Sequence, residues 1–311
     1  MHETIIITGV NGFVGEHVVD TFLAEGFDVV GVGYDANAGE KVREKLSNYI
    51  ACNLLDPADV QKIDLSNVRG IVHLAGLSNV SESFDKPLAY VNDNVTMTYN
   101  LLSHCFENKL SGRILVISSG ALYDPHQNLP LSESSSTLEN SPYAVGKLAV
   151  EHMTSYFRLR GLDAVTVRPF NHIGPGQGPG FLVPDLFHQL KEAQASGTKT
   201  ISVGNLDTRR DYTDVRDIAN AYKRLALAPS LKYGLYNVCT GRSLSGNELL
   251  EIMQRVMGVG DIHAVVDESK VRPTDIMDIY GDSSRISEET GWKPMTDIEQ
   301  TVSDFVKSNP A

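Results

Sequence analysis

A doubly wound α/β fold built on a parallel sheet is the fold class that this sequence predicts, and three observations predict it. Short β-rich apolar runs alternate with longer amphipathic stretches as far as about residue 170. The first run, Ile5-Ile6-Ile7-Thr8, leads straight into a glycine-spaced turn, Gly9-Val10-Asn11-Gly12-Phe13-Val14-Gly15. Small or polar residues follow several runs at once: Gly9, Ala75-Gly76, Ser118-Ser119 and Pro169-Phe170-Asn171. Ligands of such sheets bind beyond the carboxyl ends of the strands, so these four stretches are expected to converge on one crevice.

Taken in order, residues 5–8, 29–32, 71–75, 114–117 and 164–167 are continuous apolar runs, the pattern of parallel strands covered on both faces. Residues 14–24, 88–107 and 143–159 carry helical patterning between them. After Arg168 the texture changes. Gly174-Pro175-Gly176-Gln177-Gly178-Pro179-Gly180 is a helix-breaking loop. Ser245 with Glu248, and Thr296 with Glu299, have the spacing of capping boxes that open two late helices. The expected organisation is a dinucleotide-binding domain over residues 1–170, to which parts of the later chain return. A smaller α/β substrate-binding lobe spans residues 171–311 and covers the crevice.

The chain has 311 residues and a net charge of −12, which argues against a nucleic-acid face. It leaves room for one anionic ligand held by a few arginines and helix ends. No apolar run approaches the roughly 20 residues needed to span a bilayer, and the N-terminal residues lack the regions of a signal peptide. A cytoplasmic protein is expected. Cys52, Cys105 and Cys239 lie far apart and read as small buried apolar residues, the nine histidines are scattered, and no metal site is expected.

A strand, a tight glycine turn and a helix N-terminus suit a pyrophosphate, because the backbone can approach closely and the helix dipole favours negative charge. Gly9, Gly12 and Gly15 are therefore candidate dinucleotide-binding residues. Asp35 lies about 20 residues further on, where an acid reads the adenosine ribose and favours NAD over NADP. Lys41 and Arg43 stand beyond it, so both cofactors stay open, with NAD preferred. Asn53-Leu54 and Leu74-Ala75-Gly76 are expected beside the adenine and ribose.

Tyr143 and Lys147 share one helix face. A free tyrosine titrates at roughly 10, and a neighbouring ammonium is expected to bring it towards working pH. Ser119 can bond the same substrate oxygen.

At this point the sequence resembles the extended short-chain dehydrogenase/reductase family, in its nucleotide-sugar branch. The matching pieces span nearly the whole chain. They are Thr8-Gly9…Gly12…Gly15, His73-Leu74-Ala75-Gly76, Asn94, Ser118-Ser119…Leu122-Tyr123, Pro142-Tyr143…Lys147, Arg168-Pro169, Arg210-Asp211 and Arg272-Pro273. The resemblance implies an NAD(P)-dependent oxidoreductase with Ser119, Tyr143 and Lys147 as its catalytic group. It implies that Asn11, Phe13, Val14, Asn94 and Phe170 join the glycines, Tyr143 and Lys147 around the dinucleotide, with Lys147 on the nicotinamide ribose. Ser78, Ser119, Asn171, Val183, Asn205, Arg210, Arg272 and Asp275 would bind a nucleotide-diphosphate sugar. Among these, Asn171 and Arg210 would lie at the diphosphate end, Asn205 at the nucleotide, Arg272 on a phosphate oxygen and Asp275 on a ribose or base donor. The resemblance further implies a homodimer through a four-helix bundle of the helices at 88–107 and 143–159.

Within the branch, Arg168-Pro-Phe-Asn-His-Ile-Gly-Pro-Gly-Gln177 and Arg210-Asp-Tyr-Thr-Asp214 are most similar to the GDP-4-keto-6-deoxymannose reductases. Reduction of the C4 keto group, giving GDP-D-rhamnose, is the activity so implied. Dehydratases of the branch need a carboxylate shortly after the catalytic hydroxyl, and Gly120, Ala121 and Leu122 offer none. A 4-epimerase with tightly bound NAD remains the alternative, followed by a GDP-mannose 4,6-dehydratase and a non-catalytic dinucleotide-sensing protein.

Overall fold

The computed structural model describes residues 3–271 and 276–309. Its first half builds β1 (Thr4–Thr8), α1 (Phe13–Leu23), β2 (Asp28–Gly33), α2 (Glu40–Arg43), β3 (Asn48–Ala51), α3 (Pro57–Val60) and β4 (Val68–His73). There follow α4 (Glu82–Asp85), α5 (Pro87–Glu107), β5 (Arg113–Ile117), α6 (Pro142–Leu159) and β6 (Ala164–Pro169). The later chain adds β7 (Asn171–Ile173), α7 (Leu182–Ser196), β8 (Thr200–Val203), β9 (Arg209–Arg210), β10 (Tyr212–Asp214), α8 (Val215–Leu227) and β11 (Leu235–Val238). It ends in β12 (Leu244–Ser245), α9 (Gly246–Met257), β13 (His263–Val266), β14 (Asp278–Ile279), α10 (Ser284–Thr290) and α11 (Ile298–Ser308).

Seven strands form one parallel sheet in the order β11-β6-β5-β4-β1-β2-β3. This is the doubly wound α/β fold expected from the alternating runs. Ile5 and Ile7 point to one buried face with α1 and α8, while Ile6 joins the other face with α5 and α6, as the two-residue period of a strand requires. A third apolar cluster fills the lobe, between α7, α9 and α11.

The expected run at 71–75 begins earlier and ends at His73. Leu74 N still bonds Thr8 O, but Ala75 N turns to the Thr8 side chain at 3.2 Å, and the chain leaves the sheet there. β11 pairs with β6 from Leu235↔Thr166 to Val238↔Pro169, so a late segment completes the sheet. Arg113 secures this return. Its guanidinium donates to the carbonyls of Leu225 at 2.6 Å and Ala228 at 2.8 Å, and pairs with Asp163.

Caps decide where helices start. Ser245 and Glu248 form the expected reciprocal capping box on α9. The box expected from Thr296 and Glu299 does not form; Asp297 caps α11 instead, accepting from Glu299 N at 2.8 Å. A carboxylate reaches the first-turn N–H groups as well as a hydroxyl and complements the helix dipole. All three cysteines are buried and unpaired. Among the described residues no helix is long and apolar enough to cross a membrane, and no cluster of His, Cys, Asp or Glu has the arrangement of a metal site.

Candidate active site

The glycine turn is built as the sequence suggests. Gly9 has φ +67°, a left-handed conformation, and a Cβ there would stand 2.8 Å from Ala75 N. A Cβ on Gly15 would meet the Val10 carbonyl oxygen at 2.2 Å, so α1 packs against the turn only because that position is bare. Gly12 is the N-cap of α1 and offers no side chain to its first turn. Those N–H groups face an open cavity of about 250 Å³ lined by Asn11, Gly12, Phe13, Glu16, Lys41 and Gly176. A bare helix N-terminus beside such a cavity fits a dinucleotide pyrophosphate.

A line of contacts runs from this turn to the proton-transfer group. Gly9 abuts Ala75, and a Cβ on Gly76 would stand 2.9 Å from Asn94 Oδ1 and 3.7 Å from Lys147 Nζ. Asn94 is buried and clamps the loop, accepting from Leu77 N at 2.7 Å and donating to Leu77 O at 3.1 Å. Lys147 Nζ donates to Ile117 O at 2.8 Å, two residues before Ser119. The Ser119 hydroxyl lies close enough to the Tyr143 phenol to favour its ionised form. The Ser119 hydroxyl also accepts from Ala121 N at 3.1 Å, which fixes its direction. The start of α6 sets the other two: Ser141 caps Ala144 N and Pro142 takes the first turn, so Tyr143 and then Lys147 fall on the face turned to β5.

Burial dominates the electrostatics. It raises the Tyr143 phenol above its ordinary value, against the lowering effect of the nearby Ser119 hydroxyl, and the Glu151 carboxylate raises it further. Lys147 is pulled down to about 8 by the same desolvation, opposed by Glu151. The expectation that the ammonium brings Tyr143 towards neutrality is therefore corrected: a water-excluded site disfavours both charged forms. Tyr143 is a phenol at neutral pH, the state a proton donor needs. His73 is buried beneath the loop, 2.7 Å from Thr8 Oγ1, and burial together with the nearby Lys147 pushes it down to about 3. It is a neutral spacer, not a second acid.

Behind Ser119 the crevice has a tight floor. A Cβ on Gly120 would strike the Phe170 ring at 2.8 Å, and one on Gly281 would strike it at 2.5 Å. Phe170 is buried there and stacks with Tyr123, ring centroids 6.0 Å apart. Ala121 is exposed, and no carboxylate follows Ser119 along this turn.

The remaining expected residues divide. Asp35 is exposed, with its carboxylate 2.8 Å from Asn11 Nδ2, while Asn11 Oδ1 accepts from Gly39 N at 2.9 Å. Gly33, the last residue of β2, cannot carry the ribose-reading acid, because its Cβ would meet the Tyr49 hydroxyl at 2.5 Å. Phe13 stacks on His172, 6.1 Å between centroids, and His17 lies 2.8 Å from Pro175 O, so the loop after β7 folds over α1. Val14 packs on the core cluster below the turn. Ser78 and Asn171 are exposed.

Arg210 donates to the carbonyls of Arg209 and Ile276, at 2.8 and 2.7 Å. Asn205 Oδ1 is engaged locally by Asp207 N at 3.0 Å, and Asn53 Oδ1 by Leu55 N at 3.1 Å. Leu54, in the turn after β3, and Val183, at the start of α7, are buried in the apolar clusters. Arg272 and Asp275 lie outside the described residues. Sequence reasoning missed Glu151 and Tyr49. Glu151 carried a signal, since it falls one further turn along the Tyr143–Lys147 face.

A glycine turn at the end of the first strand, with serine, tyrosine and lysine gathered beyond the neighbouring strands, defines an enzyme of the dehydrogenase/reductase class. Comparison with known proteins gives the branch. The chain belongs to the extended short-chain dehydrogenase/reductase family, matching the family model described as GDP-mannose 4,6 dehydratase over residues 6–305. It is 31% identical to a GDP-6-deoxy-D-mannose reductase of Pseudomonas aeruginosa over 306 residues, 97% of this chain and 95% of that one. A solved structure of RMD from the same organism, complexed with NADPH, superposes with a TM-score of 0.84 at 29% identity, covering 98% of each chain. A putative UDP-glucose 4-epimerase of Methanocaldococcus jannaschii is 27% identical over 303 residues, 96% of this chain and 95% of that one.

Proposed function

We propose that this protein reduces the C4 keto group of a nucleotide-linked 4-keto-6-deoxyhexose with NADH or NADPH. The best-fitting conversion is GDP-4-keto-6-deoxy-D-mannose to GDP-D-rhamnose. The observation that carries this reading is the Ser119–Tyr143–Lys147 group beside a turn that holds no acid at Gly120 or Ala121. Elimination of water needs such an acid, whereas reduction of a ketone needs one hydride and one proton. The similarity to the Pseudomonas reductase supports the same choice.

The dinucleotide, held by Gly9, Gly12 and Gly15 with Asn94 and Lys147, supplies a hydride when bound. Ser119 and Tyr143 hold the substrate carbonyl oxygen between them. Tyr143 Oη gives its proton to that oxygen as negative charge develops there. The Lys147 ammonium, oriented by Ile117 O, stabilises the phenolate left behind. Residues 1–170 supply the dinucleotide site and residues 171–311 mainly the nucleotide-sugar site, where, by resemblance, Ser78, Asn171, Val183, Asn205, Arg210, Arg272 and Asp275 belong.

The exposed apolar side chains of α5 and α6, with Leu88 75%, Tyr99 46%, Tyr156 48% and Leu159 86% accessible, suit a homodimer through a four-helix bundle. A cytoplasmic location fits an enzyme of soluble nucleotide sugars.

Incubation with GDP-4-keto-6-deoxymannose and each reduced cofactor, followed by absorbance and product NMR, tests the reading. Cofactor oxidation with a 4-hydroxy sugar formed supports it. Interconversion of UDP-glucose and UDP-galactose without added cofactor supports the epimerase reading instead, which the similarity to the Methanocaldococcus protein favours.

Between the two cofactors, Asp35 places a negative charge at the end of β2 and favours the free ribose hydroxyl of NADH. Asp35→Ser is expected to raise the NADPH-to-NADH ratio of kcat/KM by roughly tenfold, because a like charge facing the 2′-phosphate is removed. An unchanged ratio in steady-state assays removes Asp35 from cofactor choice.

A further inference from the structure

Glu151 sits one helical turn past Lys147 on α6, with a side chain only 11% exposed. Arg168, 6% exposed, grips it as a fork: Nε donates to Oε1 at 2.8 Å and Nη2 to Oε2 at 2.6 Å. Ser118 Oγ adds a third bond to Oε1 at 2.6 Å. The partners come from different elements. Ser118 directly precedes Ser119 after β5. Arg168 lies on β6, two residues before Phe170. Glu151 shares α6 with Tyr143 and Lys147. The Arg168 guanidinium also lies over the Tyr123 ring, 4.6 Å from its centroid, and that ring stacks on Phe170.

Resting on the proton-transfer reading above, we infer that Glu151 is a positioning residue. Its clasp on Ser118 and Arg168 fixes the two strand ends against the helix that bears Tyr143 and Lys147, and its carboxylate, four residues past Lys147 on the same helix face, favours the ammonium. A buried ion pair by itself contributes little to stability, because desolvation offsets attraction. A carboxylate that joins three functional segments has a different use.

The charged and titratable groups facing Lys147 are few. Glu151 and Tyr143 share its helix, neutral His73 faces it from β4, Tyr90 and Asn94 stand on α5, and Arg168 on β6 is already neutralised by Glu151. Burial draws Lys147 down, and Glu151 opposes it. Without Glu151, the ammonium loses its proton at lower pH.

The test follows the Lys147 side chain by NMR across pH in the whole protein, beside the kcat/KM profile for keto-sugar reduction. In Glu151→Gln the Lys147 midpoint is expected to fall by about one pH unit. Reduction at pH 8 then drops roughly fivefold, as expected from the smaller protonated fraction. Glu151→Asp, which keeps the charge, restores the midpoint. Where Glu151→Gln does not fold, Arg168→Gln removes the cation that neutralises Glu151, and the Lys147 midpoint is then expected to rise. An unmoved midpoint in either folded variant overturns the inference. The NMR midpoint does not depend on turnover, so a parent protein that reduces no keto sugar would refute the proposed function while leaving this result readable.

Discussion

Tyr143→Phe is expected to lower turnover of a nucleotide-linked 4-keto sugar by about 10³-fold, within the range that a positioned proton donor contributes. Dinucleotide affinity should stay within about twofold, because the ring still packs beneath the loop and only the donor is lost. The phenol is buried beside Ser119, and burial holds it protonated, the state from which a proton can be given. Single-turnover absorbance with saturating cofactor, together with a fluorescence titration of the cofactor, separates the two effects. Parent-like turnover removes Tyr143 from the chemistry. Equal loss of binding and turnover would mean that the ring has a structural role alone.

Gly15→Ala is expected to weaken dinucleotide binding by at least roughly 30-fold and to lower stability by about 2 kcal/mol, the scale of overpacking a close backbone contact. The added methyl would lie 2.2 Å from a backbone carbonyl oxygen, an atom that cannot rotate away. The turn must open or α1 must slide, and either change spoils the alignment of the first-turn N–H groups. Thermal denaturation and cofactor titration read the two consequences. A variant that melts and binds as the parent does would show that this turn is not where the pyrophosphate is held.

Much of this was legible before any coordinates. Ile5 to Gly15 spells a buried strand followed by positions where a side chain is excluded, and hard-sphere contacts leave little freedom there. Tyr143 and Lys147 are joined by helical periodicity, which is local. What escaped depends on distance in the chain. β11 is a four-residue run whose strand character comes from β6, about 70 residues earlier, and not from its own pattern. Thr296 had the right spacing for a cap, but Asp297 competes one residue on and wins by charge. The pKa of Tyr143 was read from its neighbour, whereas depth of burial decides it. Gly120 looked like a mere absence of an acid. It is also the space that the Phe170 ring occupies, which no local reading contains.

The outermost strand on one side of the sheet, β11, reaches its place only after α7, β8 and α8 have been laid down. A fragment cut near residue 170 would therefore leave the flank of β6 bare, with its N–H and carbonyl groups seeking another chain. Such a fragment is expected to precipitate rather than to fold and bind dinucleotide by itself. The two halves are separable on paper by ligand but not by scissors, and in calorimetry the protein should melt in one transition.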